Sequence, residues 1–140
     1  MKKVYVIGSL KNPRVPLVAA TLRKAGFDAF DDWYSVGPDC DDHWQAYEKQ
    51  RGRTFEQALG GAHAKDVFEF DKRNLDDSDA AILVGPAGKS AHLELGYMVG
   101  RGKPAYILLD KEPERFDVMV QFARMVTTNL ERIMEDVRQC

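Results

Sequence analysis

The sequence predicts an α/β fold in which an open parallel sheet of four to five strands carries helices on both faces. Two features of its 140 residues indicate this fold: short apolar runs end at or near glycines or acidic residues, and segments with helical periodicity separate them. Strands that alternate with helices form βαβ units, so the sheet is parallel and flavodoxin- or Rossmann-like. A chain of this length fits one domain, and we expect residues 1–140 to form it.

Four apolar runs are the predicted strands, at residues 4–7, 27–30, 80–84 and 104–109. The first predicted helix opens at Asn12 and closes at Gly26, where glycine suits a left-handed cap. Another helix is predicted to begin at Ser90 and to end at Gly100 or Gly102. Residues 33–63 define no clear structure, although Asp42 could cap a helix that begins near His43 and stops at Gly60-Gly61.

The C-terminal part is predicted as one long helix from about Arg115. One apolar stripe follows its length: Phe116, Val120, Ala123, Val126, Leu130, Ile133 and Val137. A second stripe lies beside it: Met119, Phe122 and Met125. A helix that is apolar over so much of its circumference needs cover on both sides. We therefore expect a homodimer or a higher closed assembly; the alternative is that residues 33–63 cover the second stripe.

Composition excludes several classes of protein. Twenty Lys and Arg against 22 Asp and Glu give a net charge of −2 without a basic block, so no polymeric nucleic acid is expected as a partner. No apolar run approaches the roughly 20 residues that span a bilayer, and the N-terminus leads into a short strand rather than a signal peptide. We expect no membrane association. Cys40 and Cys140 form no disulfide framework, which is typical of the cytoplasm.

Ligands of open parallel sheets bind at the carboxyl ends of the strands, which here marks the loops 8–14, 31–40 and 85–94. The first loop combines backbone N–H groups with Ser9 and the cations Lys11 and Arg14, a cradle for a 5′-phosphate. It has neither the Walker lysine nor the GxGxxG spacing. The alternative is an ordinary tight turn with solvated cations.

Glu94 is the first candidate for catalysis. If Ser90 caps the helix, Glu94 lies in or just after the first turn, where the positive end of the macrodipole favours a carboxylate and keeps it ionised. Its neighbours Leu93 and Leu95 are apolar. An ionised carboxylate in such a half-apolar pocket suits nucleophilic attack on an anomeric carbon. The alternative is a glutamate that merely stabilises the helix end.

Three segments carry a family resemblance. Residues 90–97, Ser-Ala-His-Leu-Glu-Leu-Gly-Tyr, followed by Gly-Lys-Pro at 102–104, resemble the nucleophile segment of the nucleoside 2-deoxyribosyltransferase superfamily. Residues 71–79 are similar to its Asp-x-x-x-Ile/Leu-x-x-Ala-Asp segment. Residues 5–11 look like the first strand and loop of its 2′-deoxynucleoside 5′-phosphate N-hydrolase branch. The segments occur in the expected order and spacing.

The resemblance implies one deoxyribosyltransferase-like domain in which Glu94 is the nucleophile and Asp71 is its acidic partner. Departure of the base builds positive charge on the sugar, which a carboxylate can trap as a covalent intermediate. Asp71 would position that carboxylate or protonate the base, with a pKa raised by its neighbour. The resemblance also implies a nucleoside or nucleotide substrate, and an oligomer in which a neighbour supplies residues to the site.

The predicted substrate-binding residues lie in the three loops and the first strand: Tyr5, Gly8, Ser9, Lys11, Arg14, Asp32, Trp33, Gly88 and Ser90. A base could stack on aromatic residues after the second strand, which are otherwise core anchors: Trp33, Tyr34, Trp44 and Tyr47. Gly88 stands six residues before Glu94, where the transferases have an acidic residue that contacts the base. This departure weakens the transferase assignment and leaves base recognition undefined.

The sequence thus predicts an N-glycosidase that hydrolyses the base–sugar bond of a (deoxy)nucleoside 5′-monophosphate or nucleoside. No cofactor is expected, because the His-x-Glu at 92–94 has no downstream Pro-Cys-x-x-Cys to complete a zinc site. Three alternatives stay open: a nucleoside 2-deoxyribosyltransferase, a catalytically silent nucleotide-binding module, and a Toll/interleukin-receptor-like domain that cleaves NAD. A fold alone does not separate them.

Overall fold

The computed structural model describes all 140 residues. Five parallel strands form one sheet in the order β2-β1-β3-β4-β5. The strands are β1 (Lys3–Ile7), β2 (Asp28–Phe30), β3 (Ala80–Val84), β4 (Ala105–Leu108) and β5 (Met125–Thr127). The helices are α1 (Arg14–Lys24), α2 (Cys40–Gln50), α3 (Phe55–Leu59), α4 (Ala62–Asp76), α5 (Lys89–Gly100) and α6 (Leu130–Gln139). This strand order is the flavodoxin-like one, and it confirms the predicted α/β fold.

Helices cover both faces of the sheet, and strand alternation decides which side chains each face receives. On β1, Val4 and Val6 point toward the core beneath α1 and α6, whereas Tyr5 and Ile7 point toward the core beneath α5 and the end of α4. All four side chains are at most 1% exposed. Tyr5 is therefore on the same side of the sheet as the two helices that carry Asp71 and Glu94.

The prediction of one long C-terminal helix from about Arg115 is wrong. The chain instead forms a short 3-10 turn at Val118–Phe122, then strand β5, and then α6. Strand β5 pairs with β4, placing Val126 opposite Ile107. Pairing at the edge of the sheet overrides the helical periodicity of the segment, because β-branched residues suit a half-buried strand.

The two apolar stripes are consequently not faces of one helix. Phe116, Met119 and Phe122 are exposed, whereas Ala123 is buried, and Ile133 and Val137 on α6 complete the core. Residues 33–63 form a 3-10 turn, α2 and α3, and they leave the three large side chains uncovered. The original reason for expecting a dimer therefore fails.

None of the six helices combines the length and apolar character required to cross a lipid bilayer. Helix α1 ends as predicted: Gly26 follows it with φ 94°, a left-handed conformation that glycine adopts without strain.

Candidate active site

A cavity of about 750 Å³ opens at the carboxyl ends of β1, β2 and β3. All three predicted loops contribute to it, and the fourth side is α4. Predicted site residues that line it are Gly8, Ser9, Lys11, Asp32, Trp33, Asp71, Gly88 and Ser90. Its volume lies within the roughly 300–1,000 Å³ that is typical of small-molecule sites. The cavity occupies the place where the strand order reverses, as expected for this class of sheet.

Glu94 and Tyr5 lie behind this lining, next to Asp71. Ser90, one turn before Glu94 on α5, lines the cavity, whereas Glu94 and Tyr5 do not. The charges of Asp71 and Glu94 both act on the Tyr5 hydroxyl, and that of Asp71 also acts on Glu94, so the three groups are neighbours. No hydrogen bond joins any of these three side chains to the rest of the protein. Their oxygen atoms therefore have no hydrogen-bond partner elsewhere in the protein.

Burial is the largest cause of the raised pKa of both carboxyl groups. It raises the pKa of Glu94 to about 8, with a further contribution from the charge of Asp71. Burial, and then the charge of Asp41, raise the pKa of Asp71 to about 6. The expectation that the helix terminus keeps Glu94 ionised is wrong. Glu94 lies in the second turn, where the effect of the macrodipole has decayed and desolvation dominates.

The two pKa values mean that the pair holds one proton between about pH 6 and pH 8. In that range the proton is on Glu94, whose pKa is higher. The pKa of Asp71 is raised as predicted, but by burial and the charge of Asp41 and not by Glu94, whose own pKa increases more. Two carboxyl groups whose environments separate their pKa values are the usual arrangement for acid–base chemistry.

The raised pKa of Glu94 predicts that the protein loses stability as the pH rises. Glutamate titrates near 4.5 when unfolded and near 8 here, so the folded state binds more protons between these values. The free energy of unfolding consequently falls across this window, by on the order of 3 kcal/mol between pH 5 and pH 8. Chemical denaturation at several pH values measures the decline. Glu94→Gln cannot titrate and should remove most of it; an equal decline in both proteins would contradict the prediction.

Hydrogen bonds fasten α4 to α5 and so position Asp71 relative to Glu94. The Tyr97 hydroxyl donates to Asp76 Oδ1 at 2.5 Å, and Lys103 Nζ donates to the carbonyl oxygen of Asp76. Tyr97 and Lys103 both belong to the segments that carry the family resemblance. Both motif residues therefore hold the end of α4 against α5 and the turn that follows it.

Most polar side chains of the first loop, residues 8–14, form hydrogen bonds or ion pairs within the protein. Arg14 Nη1 donates to the Gly85 carbonyl at 3.0 Å, and Arg14 does not line the cavity. Lys11 lines it, and its ammonium pairs with Asp42 at 3.0 Å. Ser9 Oγ accepts the backbone N–H of Lys11. The structure thus brings Ser9 and Lys11 to the cavity and leaves Arg14 outside it. Recognition of a phosphate by this loop stays a prediction.

The start of α5 differs from the expected cap. Ser90 does not cap the helix, which begins at Lys89 with Gly88 as its N-cap and no side-chain hydrogen bond. The N-cap is therefore two residues earlier than the predicted cap Ser90. The Ser90 hydroxyl has no partner in the protein and lines the cavity beside Lys89. It is available as a donor to a ligand.

The lining is strongly acidic. It includes five aspartates and two lysines: Asp32, Asp41, Asp42, Asp66, Asp71, Lys11 and Lys89. Such a lining favours neutral or cationic ligands over anions. Asp32 and Asp71 are predicted site residues, whereas the other three aspartates are not among the predictions. The helical spacing of Asp66, Val67, Phe70 and Asp71 could have revealed the face of α4. The other two aspartates lie in the first turn of α2, before the predicted helix start near His43.

Of the four predicted aromatics, Trp33 lines this cavity. Its Nε1 donates to the Val6 carbonyl at 2.8 Å, which anchors the ring against the sheet. Tyr34 packs on the core beneath α1, and Trp44 and Tyr47 line a neighbouring cavity. No group of three or more His, Cys, Asp or Glu side chains is arranged to hold a metal ion.

The fold is a flavodoxin-like α/β sheet with a cavity of small-molecule size at its topological switch point. A solved structure with a similar fold is the 2-deoxyribosyltransferase of the psychrotolerant bacterium Bacillus psychrosaccharolyticus, described as a biocatalyst for nucleoside synthesis. The TM-score is 0.60, and the match covers 94% of this chain and 89% of that one at 16% identity. At this identity the likeness shows the fold. No family model and no curated protein matches the chain.

Proposed function

We propose that this protein is an N-glycosidase that hydrolyses the base–sugar bond of a (deoxy)nucleoside or its 5′-monophosphate, with Glu94 as the nucleophile. One observation carries the proposal: Glu94, Asp71 and Tyr5 are neighbours without protein hydrogen bonds, beside a cavity large enough for a nucleoside. The fold shared with a deoxyribosyltransferase supports the same class of substrate.

The reaction begins from the state in which the pair holds one proton. Transfer of that proton from Glu94 to Asp71 charges the nucleophile and creates the acid in one step. The Glu94 carboxylate then bonds to the anomeric carbon as the bond to the base breaks. The electron pair of that bond goes to the base, which takes the proton from Asp71.

Water completes the cycle. Asp71, now ionised, accepts a proton from the attacking water, whose oxygen bonds to the anomeric carbon and displaces Glu94. The free sugar leaves, and the pair again holds one proton. Burial and the two carboxyl groups raise the pKa of the Tyr5 hydroxyl, so it stays protonated and can donate to the Glu94 carboxylate throughout.

Chromatography of common nucleosides and 5′-monophosphates after incubation with the protein tests the proposal. We expect free base from at least one of them. Adding a second base distinguishes the alternatives, because a transferase forms a new nucleoside while a hydrolase releases free sugar. Absence of free base from every substrate, with ligand binding intact, would instead support a silent binding module.

We also propose that the protein is a homodimer. The evidence is the exposed face of α4 and not the apolar stripes of the C-terminal segment. Helix α4 has 15 residues, of which Leu75 alone is buried. Val67, Phe68 and Phe70 are 44%, 65% and 41% exposed. Helices in proteins depend on packing of an apolar face, and a second copy is the simplest cover for this one. Because Val67 and Phe70 also line the cavity, the partner would help to enclose it.

Light scattering at micromolar concentration is expected to give twice the chain mass of 15.8 kDa. Phe68→Glu places a charge in the proposed interface and should produce monomers. Leu17→Glu is the matched control, because Leu17 is 66% exposed on α1 and should tolerate the same change. A parent protein with a mass of 15.8 kDa and full activity would contradict the dimer.

A further inference from the structure

A second cavity of about 590 Å³ lies beside the first, between α2 and the start of α4. Val36, Cys40 and His63 line both cavities. The two spaces therefore share a wall, and a ligand in one can extend toward the other.

The second cavity has the opposite electrical character to the first. Arg51 and Arg53 line it and share a single carboxylate, that of Glu48, at 3.8 Å and 3.4 Å. Glu48 is 7% exposed and is the cavity's one acidic residue. One guanidinium charge is left without a counter-ion among the lining residues. By contrast, the lining of the first cavity contains five aspartates and two lysines, so its carboxylates outnumber its cations.

The groups that could bind an anion are held in place. The Arg51 guanidinium lies over the Tyr47 ring, 5.4 Å from its centroid. Trp44 packs against His63 at the shared wall, with 6.0 Å between ring centroids. The Trp44 indole N–H is buried and has no acceptor. Guanidinium groups match the geometry of phosphate oxygens, and the side chain that carries the unpaired N–H also lines this cavity.

We propose that this basic cavity binds a phosphoryl group carried by the substrate, while the acidic cavity holds the sugar and the bond that breaks. The inference rests on the proposed function and refines its substrate class. An anionic group is repelled by the aspartates around the first cavity and attracted by the arginines of the second. The charge pattern thereby orients the substrate before chemistry begins.

Calorimetric titration with inorganic pyrophosphate tests the subsite directly. Arg51→Gln leaves Arg53 to pair with the buried Glu48, and it should weaken binding by about tenfold or more. The double variant Arg51→Lys/Arg53→Lys retains both charges but loses the planar fork, and it should also bind more weakly. Arg115→Gln removes an exposed arginine outside both cavities and should bind like the parent.

Three results would overturn the subsite: no binding to the parent protein, equal binding by every variant, or loss of binding through Lys11→Gln instead of Arg51→Gln. The last would assign the anion to the first loop. Base release from nucleosides and from their 5′-monophosphates is measured on the same parent sample. Pyrophosphate binding through Arg51 without any base release would refute the proposed function while supporting the anion subsite, so the two failures are distinguishable.

Discussion

Glu94→Gln is expected to fold like the parent protein and to release free base at least about a thousandfold more slowly, a loss of roughly 4 kcal/mol of transition-state stabilisation. The amide keeps the size and shape of the carboxyl group but cannot supply the attacking negative charge. Fold retention is expected because Glu94 is protonated at neutral pH, so the substitution replaces one neutral group by another. Chromatographic initial rates on the preferred substrate measure the effect.

The matched control is Glu114→Gln, the same chemical change at an exposed position between β4 and β5. It should retain the parent rate. Circular dichroism and thermal unfolding of both variants separate a loss of chemistry from a loss of fold. Near-parent turnover by Glu94→Gln would remove Glu94 from the role of nucleophile.

Asp71→Asn is expected to slow base release by about a hundredfold or more and to change the shape of the pH profile. In the parent, kcat/KM should be bell-shaped, with limbs near pH 6 and pH 8, because the active pair holds one proton. Removing Asp71 removes the acid and also the charge that helps to raise the pKa of Glu94. The variant should therefore show a single ascending limb, at a lower pH than the parent's descending one.

Asp66→Asn is the control for this prediction. Asp66 lines the same cavity from the same helix, but it is not among the groups whose charge raises the pKa of Glu94. Its pH profile should keep both limbs. A descending limb that persists in Asp71→Asn would show that another group provides the acid.

Much of the fold could be predicted because the sheet depends on local patterns. Each central strand is a short apolar run that ends at or near a glycine or an acidic residue, and the order of strands and helices follows from the chain. The C-terminal region could not be predicted in this way. Met125–Thr127 reads as part of a helical stripe, and its pairing with β4 is a tertiary contact that a local pattern does not contain.

The site was predictable where it depends on the strand ends and unpredictable where it depends on burial. The carboxyl-end rule places Ser9, Trp33 and Ser90 around one cavity, as the structure has them. The protonation of Glu94 was predicted incorrectly, since a helix position indicates the dipole but not the desolvation. The basic cavity was missed because α2, which carries Glu48, lies in the segment that the sequence leaves undefined.

Intact-protein mass spectrometry after acid quenching tests the proposed covalent mechanism most directly. The protein is mixed with the preferred substrate and quenched during turnover. We predict a mass increase equal to one sugar residue, located by peptide mapping on Glu94 and absent from Glu94→Gln. Steady turnover with no adduct under conditions that trap glycosyl esters, or an adduct on another residue, would contradict the assignment of Glu94 as the nucleophile.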